Sequence, residues 1–387
     1  MYLHEFQSKN ILIKNKIKCP YGYILKDLSD LQNILDKIRT KKLILKAQIH
    51  SGGRKKSGGI KICNKTHSLV VKHITNIKQQ AFLLNNKEFI KPNIILIEEF
   101  LPHKYEFYIS ISIDKSSNKI LILTTKYGGI DVERKKKITK TLIDTDFQVH
   151  DYQIRSILDS LSLDINYFNI LKKFIIKLVK LYTKKDLLLL EINPFTIKKK
   201  KIICLDAKFE FDDNAEYRHL DIISMRDETQ INHIENEAKK YKLNYVKLDG
   251  KIGCIVNGAG LAMATIDLIT SMSGTPANFL DVGGSIDAKN FMNAIKITLI
   301  NKDVNVIFIN IFGGIVRCDL IATSLINIHK ELKINVPIVL RLEGNKSDQA
   351  IDMIKTSLPQ IYISKNLSNT IKKAIKLSEN NHAITKQ

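Results

Sequence analysis

The sequence lacks any apolar run close to the roughly 18 residues that a membrane-spanning helix needs. Residues 1–7 also lack the charged region and the following apolar region that are typical of a signal peptide. Cysteine is scarce: the five cysteines are scattered, and none belongs to a Cys-x-x-Cys pair. This distribution favours reduced thiols over a disulfide framework or a zinc site. We therefore expect a cytoplasmic protein without a membrane segment.

Arginine is scarce too, although the chain is strongly basic. Of the 61 Lys and Arg residues only eight are Arg, and the formal net charge is +22. A charge of this size suggests nucleic acid binding at first sight. However, the lysines are spread along the whole chain beside abundant Ile and Asn, and no helix-turn-helix, zinc-finger or aromatic–basic RNA-binding pattern accompanies them. We interpret the positive charge as a compositional drift towards lysine on solvent-exposed surfaces, as expected for a bacterial protein from an A/T-rich genome. We therefore predict no nucleic acid partner.

The length of 387 residues predicts two to three domains. In the N-terminal half, apolar patterning predicts a mixture of helices and strands, an α+β arrangement. Helices are expected at residues 4–16, 28–38 and 152–183, and strands at 21–25, 43–49, 94–97, 106–113, 120–125, 187–192 and 202–205.

The pattern changes after a polar stretch at residues 227–243. Three apolar segments, at 251–256, 304–311 and 337–342, each lead through a glycine-containing turn into a helical segment. Such units are typical of a parallel, doubly wound α/β sheet, whose ligands bind at the C-terminal ends of its strands. We place the domain boundary near residue 240, which gives domains at 1–240 and 241–387.

The first candidate site is a phosphate-binding loop. Lys46 lies late in a predicted strand and precedes residues 51–59, which contain four glycines and three basic residues. Glycines let backbone N–H groups approach phosphate oxygens, and lysine adds a positive charge. The spacing differs from the Walker-type G-x-x-x-x-G-K-[ST] loop, and a flexible surface loop would have a similar composition. Glu98 and Glu106, at the ends of apolar strands, are candidates for the sugar hydroxyls and base of a nucleotide, or simply solvated strand ends.

A second candidate site follows the four leucines at residues 187–190. Glu191 and Asn193 share one face of the predicted strand, because side chains alternate along a strand. A hairpin brings Asp206 near Asn193. Asn and Asp oxygens suit Mg²⁺, a hard cation that also binds nucleotide phosphates. The sequence therefore predicts a magnesium site at this hairpin.

The second half contains four glycine turns at predicted strand-to-helix junctions. Helix N-termini at such turns attract carboxylates and phosphates. A single turn of this kind is explained by backbone geometry, but four at one sheet edge indicate an anion or carboxylate site. The turns are Asn257–Gly260, Asp281–Gly284, Phe312–Val316 and Glu343–Asn345.

Taken together, these segments resemble the beta subunits of succinate–CoA ligases over essentially the whole chain. The resemblance implies an ATP-grasp domain followed by a flavodoxin-like ligase domain. The matching segments are Leu3–Gln7, Lys46–Gln48, Gly52–Arg54, Glu191–Pro194, Val256–Met263, Ala277–Gly284 and Ile311–Asp319.

The resemblance also implies an activity: reversible conversion of succinyl-CoA, phosphate and a nucleoside diphosphate to succinate, CoA and the triphosphate, as in the tricarboxylic acid cycle. Glu191 is then expected to orient a phosphohistidine. Asn193 and Asp206 are expected to bind Mg²⁺, and Asn257 with Gly314, Ile315 and Val316 to bind the carboxylate substrate. The nucleotide-binding residues implied in this way are Lys46, Gly53, Arg54, Lys55, Glu98, Leu101 (by its backbone) and Glu106.

The family phosphorylates a histidine, yet this chain offers no good candidate for one. His329 falls in a predicted helix, and His50 beside the glycine loop is better explained as a neighbour of the nucleotide-binding loop. The family places the phosphohistidine, and most of the CoA site, on a separate alpha subunit. The resemblance therefore implies a heterodimer or heterotetramer in which this chain is inactive alone, and leaves the choice between ADP and GDP open.

The chain departs from the family pattern in several places. Lys55 stands where glycine is usual, Tyr127 replaces an acid, and Ser285 with Ile286 replaces a glycine and a small residue; the turn from Asn193 to Asp206 is one residue shorter. No expected ligand is lost. The alternatives are a malate–CoA or other acid–thiol ligase, a binding module that has lost activity, and the nucleic-acid-binding protein suggested by charge.

Overall fold

In a computed structural model the protein is described over residues 1–50, 53–84, 88–129, 137–144, 146–230, 232–284, 287–314, 317–332 and 334–380. The chain forms two compact units, Met1–Gln230 and Ile231–Gln387. The boundary expected near residue 240 falls at the end of the first helix of the second unit. No helix within the described ranges is long and apolar enough to cross a membrane.

The first unit mixes antiparallel sheets with helices, as the sequence predicts. Its elements are α1 (Glu5–Lys14), β1 (Gly22–Leu25), α2 (Leu31–Lys37), β2 (Lys42–Ala47), β3 (Ile60–Asn64), α3 (His67–Gln79), β4 (Phe82–Leu84), β5 (Glu88–Ile90), β6 (Ile95–Glu99), β7 (Phe107–Asp114), β8 (Lys119–Thr125), β9 (Thr139–Ile143), α4 (Asp151–Ser160), α5 (Phe168–Lys184), β10 (Leu187–Lys198), β11 (Lys201–Cys204), β12 (Lys208–Phe211) and α6 (Leu220–Ile223).

Two larger sheets organise this unit. One has the order β1-β6-β2-β3, and the other has the order β11-β10-β7-β8-β9, with β12 also paired to β10. All of these pairings are antiparallel. The first sheet positions Lys46 on β2 and Glu98 on β6, and the second positions Glu191 and Asn193 on β10.

Helix α5 packs its apolar side into the core of the first unit. Leu171, Ile175, Leu178 and Tyr182 recur at helical spacing, and all four are buried. The sequence predicts helical structure throughout residues 152–183, but α4 ends at Ser160 and α5 begins at Phe168. Ser162 interrupts the helix with a φ of 52°, a left-handed conformation that no α-helix accepts.

The second unit is a parallel sheet with helices. Its elements are α7 (His233–Lys240), β13 (Asn244–Lys247), β14 (Ile252–Val256), α8 (Ala259–Ser271), β15 (Asn278–Asp281), α9 (Ala288–Ile300), β16 (Val306–Gly313), α10 (Cys318–Glu331), β17 (Ile338–Gly344), α11 (Ser347–Ser357), β18 (Tyr362–Ile363) and α12 (Leu367–Asn380).

The strand order of this sheet is β13-β15-β14-β16-β17-β18, and β13 alone of these six pairs antiparallel to its neighbour. Counted along the chain from β14, the five parallel strands have the order 2-1-3-4-5, which is the flavodoxin-like order. The order reverses between β14 and β16. In such sheets ligands bind beyond the C-terminal strand ends at this reversal, which is where Asn257 and Gly314 lie.

Candidate nucleotide and carboxylate sites

Lys46 and Glu98 face each other across two neighbouring strands. Lys46 pairs with Leu96 and Ile44 pairs with Glu98 in the β2–β6 register, so both side chains emerge on one face of the sheet. The Lys46 ammonium lies 2.9 Å from Glu98 Oε2. Only 4% of Lys46 and 1% of Glu98 are exposed. Because buried charges are stable only when paired, this contact is part of the fold as well as of the predicted site.

Helix α1 adds two charged residues that the sequence did not single out. Glu5 and Lys9 lie one turn apart, and their side chains form an ion pair of 2.7 Å. Both are buried. Glu5 Oε1 also accepts from the Lys46 ammonium at 2.6 Å, and the Lys9 ammonium donates to the two Glu98 oxygens at 2.6 and 2.8 Å. A helix and two strands thus meet in one buried cluster of charges.

Arg54 extends this cluster into the glycine loop. Its Nη2 lies 2.8 Å from Glu5 Oε2 and donates to the Asp206 carboxylate at 3.0 and 2.8 Å. Its Nη1 donates to the Ala47 carbonyl at 2.9 Å. The cluster, defined here as Glu5, Lys9, Lys46, Arg54, Glu98 and Asp206, contains three carboxylates and three cations. Its formal charges therefore sum to zero.

The cations and burial act in opposite directions on the carboxylates of this cluster. Burial alone would raise the pKa of Glu5, but Lys46, Lys9 and Arg54 together hold that pKa far below its ordinary range. Burial raises the pKa of Asp206, and the nearby charge of Glu5 adds to this rise while Arg54 opposes it.

The glycine loop keeps its turn despite Lys55. In the described part of the loop, the positive φ angles fall on Gly53 (70°) and Gly58 (77°), and Lys55 has none. The Gly59 N–H donates to the Arg54 carbonyl at 2.7 Å, and the Ser57 N–H donates to the Gly53 carbonyl. Lysine thus occupies the usual glycine position without the strain that a left-handed residue would suffer.

Asn193 and Asp206 lie close together in the β10–β11 hairpin, as predicted. The Asp206 N–H donates to the carbonyl of Pro194, the residue after Asn193. The Asn193 side chain accepts from the Gly129 N–H at 2.7 Å and donates to the Glu191 carboxylate at 3.3 Å. The described residues contain no group of three or more His, Cys, Asp or Glu side chains able to hold a metal. The amide oxygen of Asn193 and the carboxylate of Asp206 nevertheless fit Mg²⁺, since Mg²⁺ takes few protein ligands beside phosphates and water.

The connection from β6 to β7 brings Leu101 and Glu106 together through a residue that the sequence analysis missed. The His103 ring contacts the Leu101 carbonyl at 2.8 Å and Glu106 Oε1 at 3.0 Å. Gly129 lies beside them with a φ of 88°, and a Cβ there would be 2.6 Å from Glu106 Oε2. Gly129 therefore joins the predicted nucleotide residue Glu106 to the predicted metal ligand Asn193.

In the second unit, Asn257 bridges the strand ends at the reversal of strand order. Its side chain donates to the Phe312 carbonyl at 2.9 Å and accepts from the Phe312 N–H at 2.8 Å. Asp281 Oδ1 accepts from the N–H groups of Gly258 and Gly283 at 2.6 and 2.8 Å. Gly314 follows directly on β16, whereas Ile315, Val316, Ser285 and Ile286 lie outside the described residues. The predicted carboxylate site thus has an ordered frame around Asn257.

Two of the missed residues had a signal in the sequence. Glu5 belongs to the Leu3–Gln7 segment that carries the family resemblance, and Lys9 follows it at helical spacing. Nothing in the sequence places α1 against β2 and β6, which is a long-range contact. His103 had no recognisable signal, since a histidine between a proline and a lysine in a loop is unremarkable.

Comparison with known proteins gives the same division of the chain. An ATP-grasp domain model matches residues 2–197, and a CoA-ligase model matches residues 255–375. The succinate–CoA ligase [ADP-forming] subunit beta of Hydrogenobaculum sp. is 40% identical, with 98% of this chain and 100% of that protein covered. The protein of the same name from Aquifex aeolicus is 39% identical, with 98% and 99% covered.

Among solved structures, the ATP citrate lyase of Methanothrix soehngenii, in complex with citrate and coenzyme A, has the same fold. The TM-score is 0.75 at 18% sequence identity, and the match covers 97% of this chain and 99% of that one. At this identity the likeness concerns the fold alone. Because the relatives are similar along their full length, and both domain models match in the expected order, the chain belongs to the family of succinate–CoA ligase beta subunits, built from an ATP-grasp domain and a CoA-ligase domain.

Proposed function

We propose that this chain is the nucleotide-binding subunit of a succinate–CoA ligase that works with a separate alpha subunit in the cytoplasm. The reaction is the reversible conversion of succinyl-CoA, phosphate and a nucleoside diphosphate to succinate, CoA and the triphosphate. The observation on which the proposal rests is the joining of Lys46, Arg54, Glu98 and Asp206 in one cluster of charges. These residues come from three separate parts of the chain, and the family uses all four around a nucleotide.

Lys46 and Arg54 are the phosphate-binding cations in this proposal. Each is held by carboxylates in the nucleotide-free protein, so the phosphates replace those carboxylates as partners. Gly53 and Lys55 supply backbone N–H groups and one further positive charge. Such a set of donors stabilises the charge that moves during phosphoryl transfer. Glu98, the Leu101 carbonyl and Glu106 bind the nucleoside part.

Asn193 and Asp206 are the residues that would hold Mg²⁺. When bound, this ion neutralises part of the phosphate charge. In the absence of the ion, the Arg54 guanidinium donates to both oxygens of the Asp206 carboxylate and so occupies the group that would hold it. Asn193 is held in place by Gly129 and lies beside Glu191, which orients the phosphohistidine of the alpha subunit. That histidine is a covalent carrier and divides one difficult transfer into two easier ones.

The carboxylate substrate binds at the reversal of strand order in the second unit, with Asn257, Gly314, Ile315 and Val316 as its binding residues. Support comes from the flavodoxin-like strand order, because sheets with this order usually bind their ligands at this edge. The pairing of Asn257 with Phe312 adds to this support, since it fixes the Asn257 amide beside the end of β16. Succinate is the substrate of the named relatives, whereas malate and citrate are the competing candidates for such a site.

The test is an assay of this chain co-expressed with a succinate–CoA ligase alpha subunit. We expect activity that depends on succinate, CoA and a nucleoside triphosphate, with ATP and GTP compared directly, and none from either chain alone. Malate and citrate in place of succinate test the alternative acid–thiol ligases. Activity from this chain by itself, or none with an alpha subunit that is active with another beta chain, would contradict the proposal.

A further inference from the structure

Lys9 and Lys46 contact the same three groups, which are the Glu5 carboxylate, the Glu98 carboxylate and the Leu205 carbonyl. The Lys46 ammonium contacts Glu5 Oε1 at 2.6 Å, Glu98 Oε2 at 2.9 Å and the Leu205 carbonyl at 2.7 Å. The Lys9 ammonium contacts Glu5 Oε1 at 2.7 Å, the Glu98 carboxylate at 2.6 and 2.8 Å, and the same carbonyl at 2.7 Å. An ammonium group has three donors, so each lysine is fully satisfied by this shared set.

This duplication of donors affects function only when one of the two lysines leaves the shared acceptors. With a nucleotide bound at the proposed site, on which this inference rests, Lys46 and Arg54 turn to the phosphates. Glu5 and Glu98 are each 4% exposed or less, and two unpaired carboxylates at such depth would strongly oppose the exchange. Lys9 is placed so that both keep a cation when Lys46 goes.

We propose that Lys9 is a positioning residue for nucleotide binding: it holds Glu5 and Glu98 while Lys46 moves to the phosphates. Lys9 then never touches the substrate. Its effect on the reaction is to lower the electrostatic free-energy cost of releasing Lys46. The cost is lower because every acceptor that Lys46 leaves already has a second donor. Glu5 takes part in the same exchange. It also pairs with Arg54 in the nucleotide-free protein, and it loses Arg54 together with Lys46 when the nucleotide binds.

A purely structural role for Lys9 makes a different prediction. If Lys9 only holds α1 against β2 and β6, its loss lowers stability and disturbs every substrate alike. If Lys9 compensates for the departure of Lys46, its loss acts on the nucleotide in particular. The effect of losing Lys9 on nucleotide binding is also smaller when one of the two carboxylates, Glu5 or Glu98, has been neutralised. These outcomes separate in a double-mutant cycle.

The experiment compares the wild type, Lys9→Met, Glu5→Gln and the double variant Lys9→Met/Glu5→Gln, each assembled with the alpha subunit. We expect Lys9→Met to raise KM for the nucleotide about 10-fold or more, with KM for succinate nearly unchanged. The double variant, which loses one cation and one anion, recovers part of that increase. Lys9→Arg, which keeps the charge, should raise KM for the nucleotide less than Lys9→Met does. Lys172→Met, at an exposed site, is the matched control and leaves all KM values unchanged.

Equal increases of KM for nucleotide and succinate in Lys9→Met, or no recovery in the double variant, would overturn the inference. A wild-type complex without activity would instead refute the proposed function, so the two failures are distinguishable. If Lys9→Met does not fold, a crystal structure of the wild-type complex with bound nucleotide decides. We expect Lys9 to contact both Glu5 and Glu98 there while Lys46 contacts phosphate. Lys46 still contacting both carboxylates would contradict the inference.

Discussion

Arg54 and Asp206 form a two-pronged ion pair, in which one guanidinium nitrogen lies 3.0 and 2.8 Å from the two carboxylate oxygens. The pair joins the glycine loop to the β10–β11 hairpin. In the proposed function Arg54 serves the phosphates and Asp206 serves the metal. In the nucleotide-free protein the two groups are thus paired with each other. In the proposed function, Arg54 turns to the phosphates and Asp206 to the metal in the same step.

Replacement of Asp206 tests this relationship. Asp206→Ala removes a metal oxygen and one partner of Arg54, so we expect kcat/KM for the Mg²⁺-nucleotide to fall by at least about 100-fold. The fold should persist, because Asp206 is partly exposed and Glu5 still pairs with Arg54. Steady-state kinetics with thermal unfolding measures both effects, with the exposed Asp36→Asn as control. Unchanged turnover would refute the metal assignment.

Substitution of Gly129 tests the link between the nucleotide and metal residues. Gly129→Ala places a Cβ 2.6 Å from Glu106 Oε2 on a backbone with a φ of 88°. The left-handed backbone costs about 1 kcal/mol for a residue with a Cβ, so the midpoint of thermal unfolding should fall. Displacement of Glu106 and Asn193 should raise KM for the nucleotide. Gly260→Ala, where a Cβ meets nothing within 4 Å, should not lower the unfolding midpoint. Equal midpoints for the two variants would contradict the argument.

The His50 ring predicts a pH dependence of stability. Burial, and then the neighbouring His4 ring 4.4 Å away, lowers the pKa of His50 to about 3. The unfolded chain binds this proton near its ordinary pKa of about 6.5, so between these values only the unfolded state is protonated. Stability from this group is therefore complete above the unfolded pKa and is lost as pH falls towards the folded pKa.

His50→Gln removes the titrating ring and should flatten the fall of the unfolding midpoint between about pH 6.5 and pH 4. The control is His67→Gln, because His67 is exposed and should leave the slope as in the wild type. Thermal unfolding of the three proteins over this pH range is the measurement. A wild-type slope retained in His50→Gln would show that other groups cause it.

Substitution of Asn257 should change KM for succinate but not KM for the nucleotide. Asn257→Ala removes both hydrogen bonds to the Phe312 backbone, so the turn at the end of β16 loses its support. We expect KM for succinate to rise by about 10-fold, the equivalent of one good hydrogen bond to a charged group. KM for the nucleotide, which binds in the other unit, is the internal control. A rise in both values would argue against a carboxylate site at Asn257.

The sequence predicted the two architectures because local patterns and the order of elements determine them. The glycine turns after β14 and β16 indicated a parallel sheet. Strand alternation indicated the shared face of Glu191 and Asn193, whose side chains are hydrogen-bonded. The break between α4 and α5 was not predicted, because residues near Ser162 continue the apolar helical period although the backbone leaves it.

The charged cluster could be predicted only in part, for a physical reason. Lys46 and Glu98 lie at strand ends, where polar residues are conspicuous. Glu5 and Lys9 lie on a helix, where a Glu–Lys pair one turn apart is usually a solvated surface pair. Their burial depends on the packing of α1 against two strands that are distant in sequence. No local pattern contains that information.

Phosphoryl transfer to the alpha subunit tests the central claim most directly. The assembled complex is incubated with Mg²⁺ and a triphosphate labelled in its γ-phosphate, and acid-labile label on each chain is measured after separation. The account predicts label on a histidine of the alpha subunit, dependent on this chain and lost with Asp206→Ala. Label on the alpha subunit without this chain, or label retained by this chain itself, would contradict it.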